Sequence, residues 1–178
     1  RYDAVMNDER IVTGALQALA SDPNAGMDAL AAAAGVGRAT LYRRFPTRSD
    51  LLAALRERAR SDALIALKVA RPDEGTAGEA LERIVAALLP VADHYAVLAE
   101  PVEPRRKPDH ALAKPILTVI RRGQRSGEFS PELPPEWWLG ALRGHFLQAA
   151  AAVAAGMAVD EAARLATRAL VDGLRGGS

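Results

Sequence analysis

Apolar positions along this chain recur every three or four residues, and runs in which they alternate with polar ones are not evident. Ile11, Ala15, Leu16 and Leu19 share one helical face after a start near Asn7 or Asp8, and Ser21-Asp22-Pro23-Asn24 closes that segment. A short helix is predicted from about Met27 to Ala34, with Leu30 and Ala34 one turn apart. Gly35-Val36-Gly37 breaks it, and Arg38 to Phe45 forms the next short helix. Pro46 biases Phe45 out of the helical region. Thr47 and Asp50 then have the spacing of a capping box. They open a longer helix through Leu51, Leu52, Leu55 and Ala59 to about Ala70.

Beyond the turn cluster Arg71 to Gly78, a helix is predicted from about Thr76 to Leu98. Four prolines between Pro101 and Pro115 predict a loop holding a short helix. Ile116 to Ser126 is helical in pattern, and Gly127 to Glu136 is a further loop. Two helices close the chain, about Glu136 to Ala155 and Asp160 to Leu174. The expected fold is all-α: an N-terminal three-helix domain over residues 1–48 and a C-terminal helical domain over 49–178.

Composition narrows the function. Of 178 residues, 49% are hydrophobic, enough for a sizeable core. The absence of cysteine excludes disulfides and thiolate chemistry, and His94, His110 and His145 are too scattered for a metal site. Neither a transmembrane run nor a signal-peptide apolar region is evident, so a soluble, cytoplasmic protein without membrane attachment is expected. The sequence offers no Ser/His/Asp or Cys/His set and no phosphate-binding glycine loop, so no enzyme and no cofactor are expected.

Net charge is only +1, but it is not evenly spread. GVGRATLYRRFPTRSDLL, Gly35 to Leu52, holds Arg38, Arg43, Arg44 and Arg48 with no acid before Asp50. Two short helices joined by a tight glycine-containing turn, after a longer helix, describe a helix-turn-helix. The second helix of such a pair lies in the DNA major groove. Leu41, Phe45 and Val36 are assigned to its packed side. That leaves Arg38, Thr40, Tyr42, Arg43 and Arg44 for double-stranded DNA. Arginine binds guanine O6 and N7 bidentately, threonine touches a thymine methyl or a phosphate, and a tyrosine hydroxyl donates to phosphate. Arg48 opens the following helix, whose first amides also attract phosphate. The plainer alternative is a solvated basic face on a structural helix.

AGVGRATLYRRFPTRSDLLAAL resembles the helix-turn-helix of the TetR family of bacterial transcriptional regulators. The shared features are Gly35 in the turn, Thr40-Leu41-Tyr42, Phe45 and the basic Arg48, within a similarity covering about residues 8 to 56. GEFSPELPPEWW resembles a loop-to-helix junction of the same family, and the rest is similar in architecture alone. Two positions depart from the family pattern. Gly26 replaces the usual Ser or Thr cap, and Asp28 stands where a basic contact is sometimes found, suiting the helix dipole but repelling phosphate.

Helix-turn-helix proteins usually dimerise and read half-sites about 34–36 Å apart, or a multiple of that. An inverted-repeat operator and a homodimer are therefore expected. Candidate interface residues are Phe146, Ala150 and Val153 on one closing helix, with Leu165, Ala166, Ala169, Leu170 and Leu174 on the other. The resemblance favours that use of these stripes over burial within the chain. It also implies a small-molecule effector pocket, for which His94, Tyr95, Trp138, His145 and Phe146 are candidates. For Trp138 the alternative is a core anchor beneath the preceding loop. The function implied is a ligand-responsive transcriptional regulator, a repressor released by a small molecule. The alternative is a helical small-molecule-binding protein with a vestigial DNA-binding domain.

Overall fold

The computed structural model describes residues 2–94 and 109–174, and these form eight α-helices and no strand. They are α1 (Tyr2–Ser21), α2 (Met27–Ala33), α3 (Arg38–Arg44), α4 (Arg48–Val69), α5 (Ala77–His94), α6 (His110–Ser126), α7 (Pro135–Ala154) and α8 (Val159–Leu174). The all-α expectation is met, with two boundaries moved. Helix α1 begins at Tyr2, earlier than the apolar periodicity indicated. Helix α6 begins at His110, ahead of Pro115. The Asp109 carboxylate accepts from the Ala111 amide at 2.8 Å and secures the first turn of α6. Pro115 forfeits one intrahelical bond, but Ile116, Val119 and Ile120 bury the helix face that follows. The predicted segment from Tyr95 to Pro108 lies outside the described residues.

The chain divides into two compact units, and the division falls inside α4, after Arg60. In the first unit Ile11, Ala15, Leu16 and Leu19 of α1 are buried, as are Met27, Leu30 and Ala31 of α2. Leu41 of α3 and Leu51 and Leu55 at the start of α4 are also fully enclosed. Helix α2 ends in a Schellman motif: Val36 N–H donates to Ala31 O and Gly35 N–H to Ala32 O. Gly35 takes φ +62, a conformation that strains other residues. Arg10 of α1 donates to the Gly35 carbonyl at 3.0 Å. Gly14 lets α1 and α2 meet, because a Cβ there would lie 2.3 Å from Ala34 Cα.

In the second unit α5 packs against α6, α7 and α8, and α7 against α8. Leu81, Ile84, Leu89, Ile120, Trp138 and Ala163 belong to its core. Thr76 and Glu79 form a capping box at the start of α5, with Thr76 N–H to Glu79 Oε2 at 2.9 Å and Glu79 N–H to Thr76 Oγ1 at 3.2 Å. The backbone bond from Thr76, helped by its hydroxyl, holds the Glu79 carboxyl below the ordinary glutamate value. The box therefore supports α5 at neutral pH and weakens as pH falls through that lowered value. Glu128, from the α6–α7 loop, accepts from the Ala77 and Gly78 amides at 2.8 and 3.2 Å. A second glutamate thus satisfies the same helix start.

Gly123 is as crowded as Gly14, since a Cβ would fall 2.3 Å from the Phe129 ring, which stacks on Trp138 with centroids 4.8 Å apart. Gly14→Ala and Gly123→Ala each gain about 1 kcal/mol of helix propensity but push into backbone or a buried ring. Each is expected to destabilise the protein by a net ~1–3 kcal/mol, read as a lower urea midpoint. A midpoint at or above the parent's would refute the close packing at that glycine.

Candidate nucleic-acid interface

Helix α3 is seven residues long, starts after Gly37 without a side-chain cap, and stops where Phe45 turns extended (φ −129, ψ 91) ahead of Pro46. Its faces divide as the sequence predicted on the inner side. Leu41 is fully buried, while Val36 and Phe45 are half-buried. Arg38, Tyr42, Arg43 and Arg44 are exposed, and Thr40 is half-buried. The Thr47–Asp50 box forms in full: Thr47 N–H and Oγ1 donate to Asp50 Oδ2 at 2.9 and 2.7 Å, and Asp50 N–H donates to Thr47 Oγ1 at 3.1 Å.

Arg38 and Arg48, both nominated as DNA-facing, have partners that the sequence did not announce. Arg38 Nε lies 2.8 Å from Asp28 Oδ1, and its guanidinium carbon sits 5.8 Å from the centre of the Tyr42 ring. Asp28, read from the sequence as a repulsive charge, is an arginine partner. Arg48 is half-buried, donating through Nε to Ala25 O at 3.1 Å and through Nη2 to Pro23 O. Its side chain ties the first residue of α4 to the α1–α2 loop. Carbonyls do not neutralise it, so its positive charge persists at the edge of the unit. The signal for Asp28 was faint: an acid in a first turn has a dipole explanation of its own. The signal for the Pro23 and Ala25 carbonyls was nil, since backbone acceptors carry no sequence mark.

The other nominated residues scatter. Trp138 is fully buried against Phe129, as a core anchor would be, and its indole N–H has no partner among the described residues. Phe146 is half-buried against the same core, His145 is half-buried and His94 is exposed. Tyr95 lies outside the described residues. Two surface grooves among the described residues, one lined by α1 and the end of α2 and one by α5 and α8, include none of them.

The nominated dimer residues divide between the core and the surface of the chain. Ala166 and Leu170 are buried in the chain's own core. Phe146, Ala150 and Val153 pack half-buried against that core. Leu165 and Ala169 are exposed, while the Leu174 side chain lies outside the described residues. The exposed face of α7 holds different residues: Trp137 (62% exposed), Gly140, Gly144, Leu147 (46%) and Ala151. These follow one another at helical spacing. Among the described residues no three or more His, Asp or Glu side chains gather as metal ligands, and no helix is long and apolar enough to cross a membrane.

An all-helical chain whose N-terminal unit presents α2, a Schellman turn and a cationic α3 is a helix-turn-helix regulator in architecture. Residues 14–55 match the family model of the bacterial regulatory proteins of the tetR family. Over 134 residues the chain is 35% identical to the HTH-type transcriptional repressor LfrR of Mycolicibacterium smegmatis, covering 71% of this chain and 68% of that protein. The crystal structure of LfrR aligns with TM-score 0.67 at 27% identity, over 92% of this chain and 97% of that one. Its complex with proflavine aligns with TM-score 0.70 at 26% identity, over 94% and 95%. PfmR from Thermus thermophilus, at 18% identity and TM-score 0.77 over 93% and 99%, shares the fold. The chain belongs to the TetR family and is a transcriptional regulator of that family.

Arg48→Ala removes both loop bonds as well as a charge. It is expected to cost about 1–2 kcal/mol of stability, seen as a lower melting temperature. It is also expected to reduce the salt slope of DNA binding by about one. An unchanged slope with a lowered melting temperature would leave Arg48 a purely structural tie.

Proposed function

We propose that the chain is a homodimeric, sequence-specific repressor that binds an inverted-repeat operator in double-stranded DNA through α3 and is released by a small molecule. The observation that carries this reading is the division of α3. Leu41 is wholly enclosed, while Arg38, Tyr42, Arg43 and Arg44 stand outside on a helix sized for the major groove. The relative at 35% identity is a repressor, and its proflavine complex supports a small-molecule effector. Proflavine is therefore the first compound for a release assay. Helix α4 contributes residues to both units, and a ligand favouring a different placement of α4 would lower DNA affinity by shifting that equilibrium. The vestigial-domain alternative drew on Gly26 and a weakly basic N-terminal arm as well as on Asp28, and the pairing with Arg38 gives Asp28 a partner within the reading unit.

For self-association we infer a face centred on α7 rather than the residues the sequence singled out. Gly140 and Gly144 have open space where a Cβ would stand, so nothing among the described residues requires glycine at either position. Each costs about 1 kcal/mol of helix stability relative to alanine. Close approach of a partner helix supplies the reason, and exposed Trp137 and Leu147 supply apolar area beside them.

Selection from a random duplex pool tests the DNA reading. The parent is expected to enrich an inverted repeat, and Arg43→Ala to weaken specific binding by about 1–3 kcal/mol and alter preference at one position per half-site. Binding that is salt-sensitive but without enrichment would remove the specific-regulator reading.

On α7, Leu147→Glu is expected to leave the fold within about 0.5 kcal/mol of the parent yet yield monomers by light scattering. Gly144→Ala should raise the melting temperature of dilute protein while weakening association. A dimer indifferent to both would place the interface elsewhere.

A further inference from the structure

An acid beside a DNA-reading helix carries a penalty, because the duplex presents a negative charge about every 1.7 Å along its axis. Asp28 lies in the first turn of α2, and its Oδ1 meets Nε of Arg38, the first residue of α3, at 2.8 Å. One turn further on, the Tyr42 ring lies under the same guanidinium, 5.8 Å from ring centre to the central carbon. The Arg38 and Asp28 side chains are 67% and 55% exposed, so the pair adds little to the stability of the fold. What the contact does is fix an arginine. A guanidinium has five N–H donors in a rigid plane. A carboxylate at Nε and a ring beneath the plane restrict its orientation while leaving terminal donors unused.

We propose that Asp28 is a specificity-determining positioning residue. It holds Arg38 by Nε, so that the terminal amino groups face O6 and N7 of a single guanine in each operator half-site. The inference rests on the DNA-binding reading above and deepens it. Adenine keeps N7 as an acceptor but carries an amino donor in place of O6, so one of the two arginine donors would face a donor and adenine is disfavoured. Orienting Arg38 before DNA arrives lowers the ordering cost of binding. The pair is also close to neutral as a unit, so Arg38 discriminates between bases while the charges of Arg43, Arg44 and Arg48 hold phosphate.

The experiment is selection from a random duplex pool with the parent, Asp28→Asn, Arg38→Lys and Arg38→Ala, followed by titrations of the selected operator and of unrelated duplex at two salt concentrations. Melting temperatures close to the parent's are expected, since both side chains are exposed. The parent should prefer guanine at one position per half-site. Arg38→Ala and Arg38→Lys should lose roughly 5- to 150-fold of that preference, because an ammonium is not a fork. Asp28→Asn should lose several-fold at the same position, yet bind unrelated duplex more tightly with a salt slope steeper by about one. An Asp28→Asn protein that binds every sequence more tightly and keeps the parent's guanine preference would overturn the assignment, leaving Asp28 a repulsive charge only. A parent that enriches no sequence would overturn the DNA reading itself, and the assignment with it.

Discussion

The burial of Leu41 is the constraint on which the reading face depends. A helix of seven residues is far below the length at which helices persist alone in water. Helix α3 therefore exists because it docks, and Leu41, with no exposed surface, is its fully buried contact. The docking site is itself prepared by small residues. Gly14 allows α1 to lie against the end of α2, and Gly35 reverses the chain in a conformation closed by two backbone bonds and the Arg10 side chain. Once Leu41 points inward, helical geometry turns Arg43 to the opposite side and sets Arg38 and Tyr42 together on one flank, one turn apart. The cationic face is the remainder after packing has been satisfied.

Elements whose ends are set locally were legible in the sequence. The Thr47–Asp50 box, the Gly35 turn and the Phe45-Pro46 stop each depend on three or four consecutive residues, and the structure forms all three. The start of α6 was hidden because proline density argued for a loop, while the Asp109 cap and the buried Ile116–Ile120 face outweighed one missing bond. The partners of Arg38 and Arg48 were hidden for another reason. Both contacts join residues far apart in the chain, ten in one case and more than twenty in the other, and spacing rules for single helices do not reach so far.

The closing helices show where periodicity stops informing. Apolar residues surround much of α7, so a stripe can be drawn there on the core side as readily as on the solvent side, whereas α8 exposes Asp160, Glu161, Arg164 and Arg168 on one side. Ala166 and Leu170 fit a helical stripe because they line the core. Glycines separate the two sides better than leucines do. A Cβ at Gly123 would strike Phe129, whereas one at Gly140 or Gly144 would touch nothing among the described residues. The same residue type records an internal contact in one helix and open space in another, and only the surroundings tell them apart.

The distribution of charge links DNA binding to self-association. Of the four arginines that mark the helix-turn-helix, Arg38 is countered by Asp28 and Arg48 is fixed on backbone carbonyls. With a net charge of +1 over the whole chain, long-range attraction to DNA is weak. Non-specific affinity scales with the number of phosphates neutralised, so one such face holds DNA loosely at physiological salt. A second face in fixed register multiplies affinity without adding charge, because the second contact becomes intramolecular. The homodimer proposed above would supply that second contact, and the exposed glycine-bearing face on α7 is better placed for it than Ala166 and Leu170, which line the chain's own core.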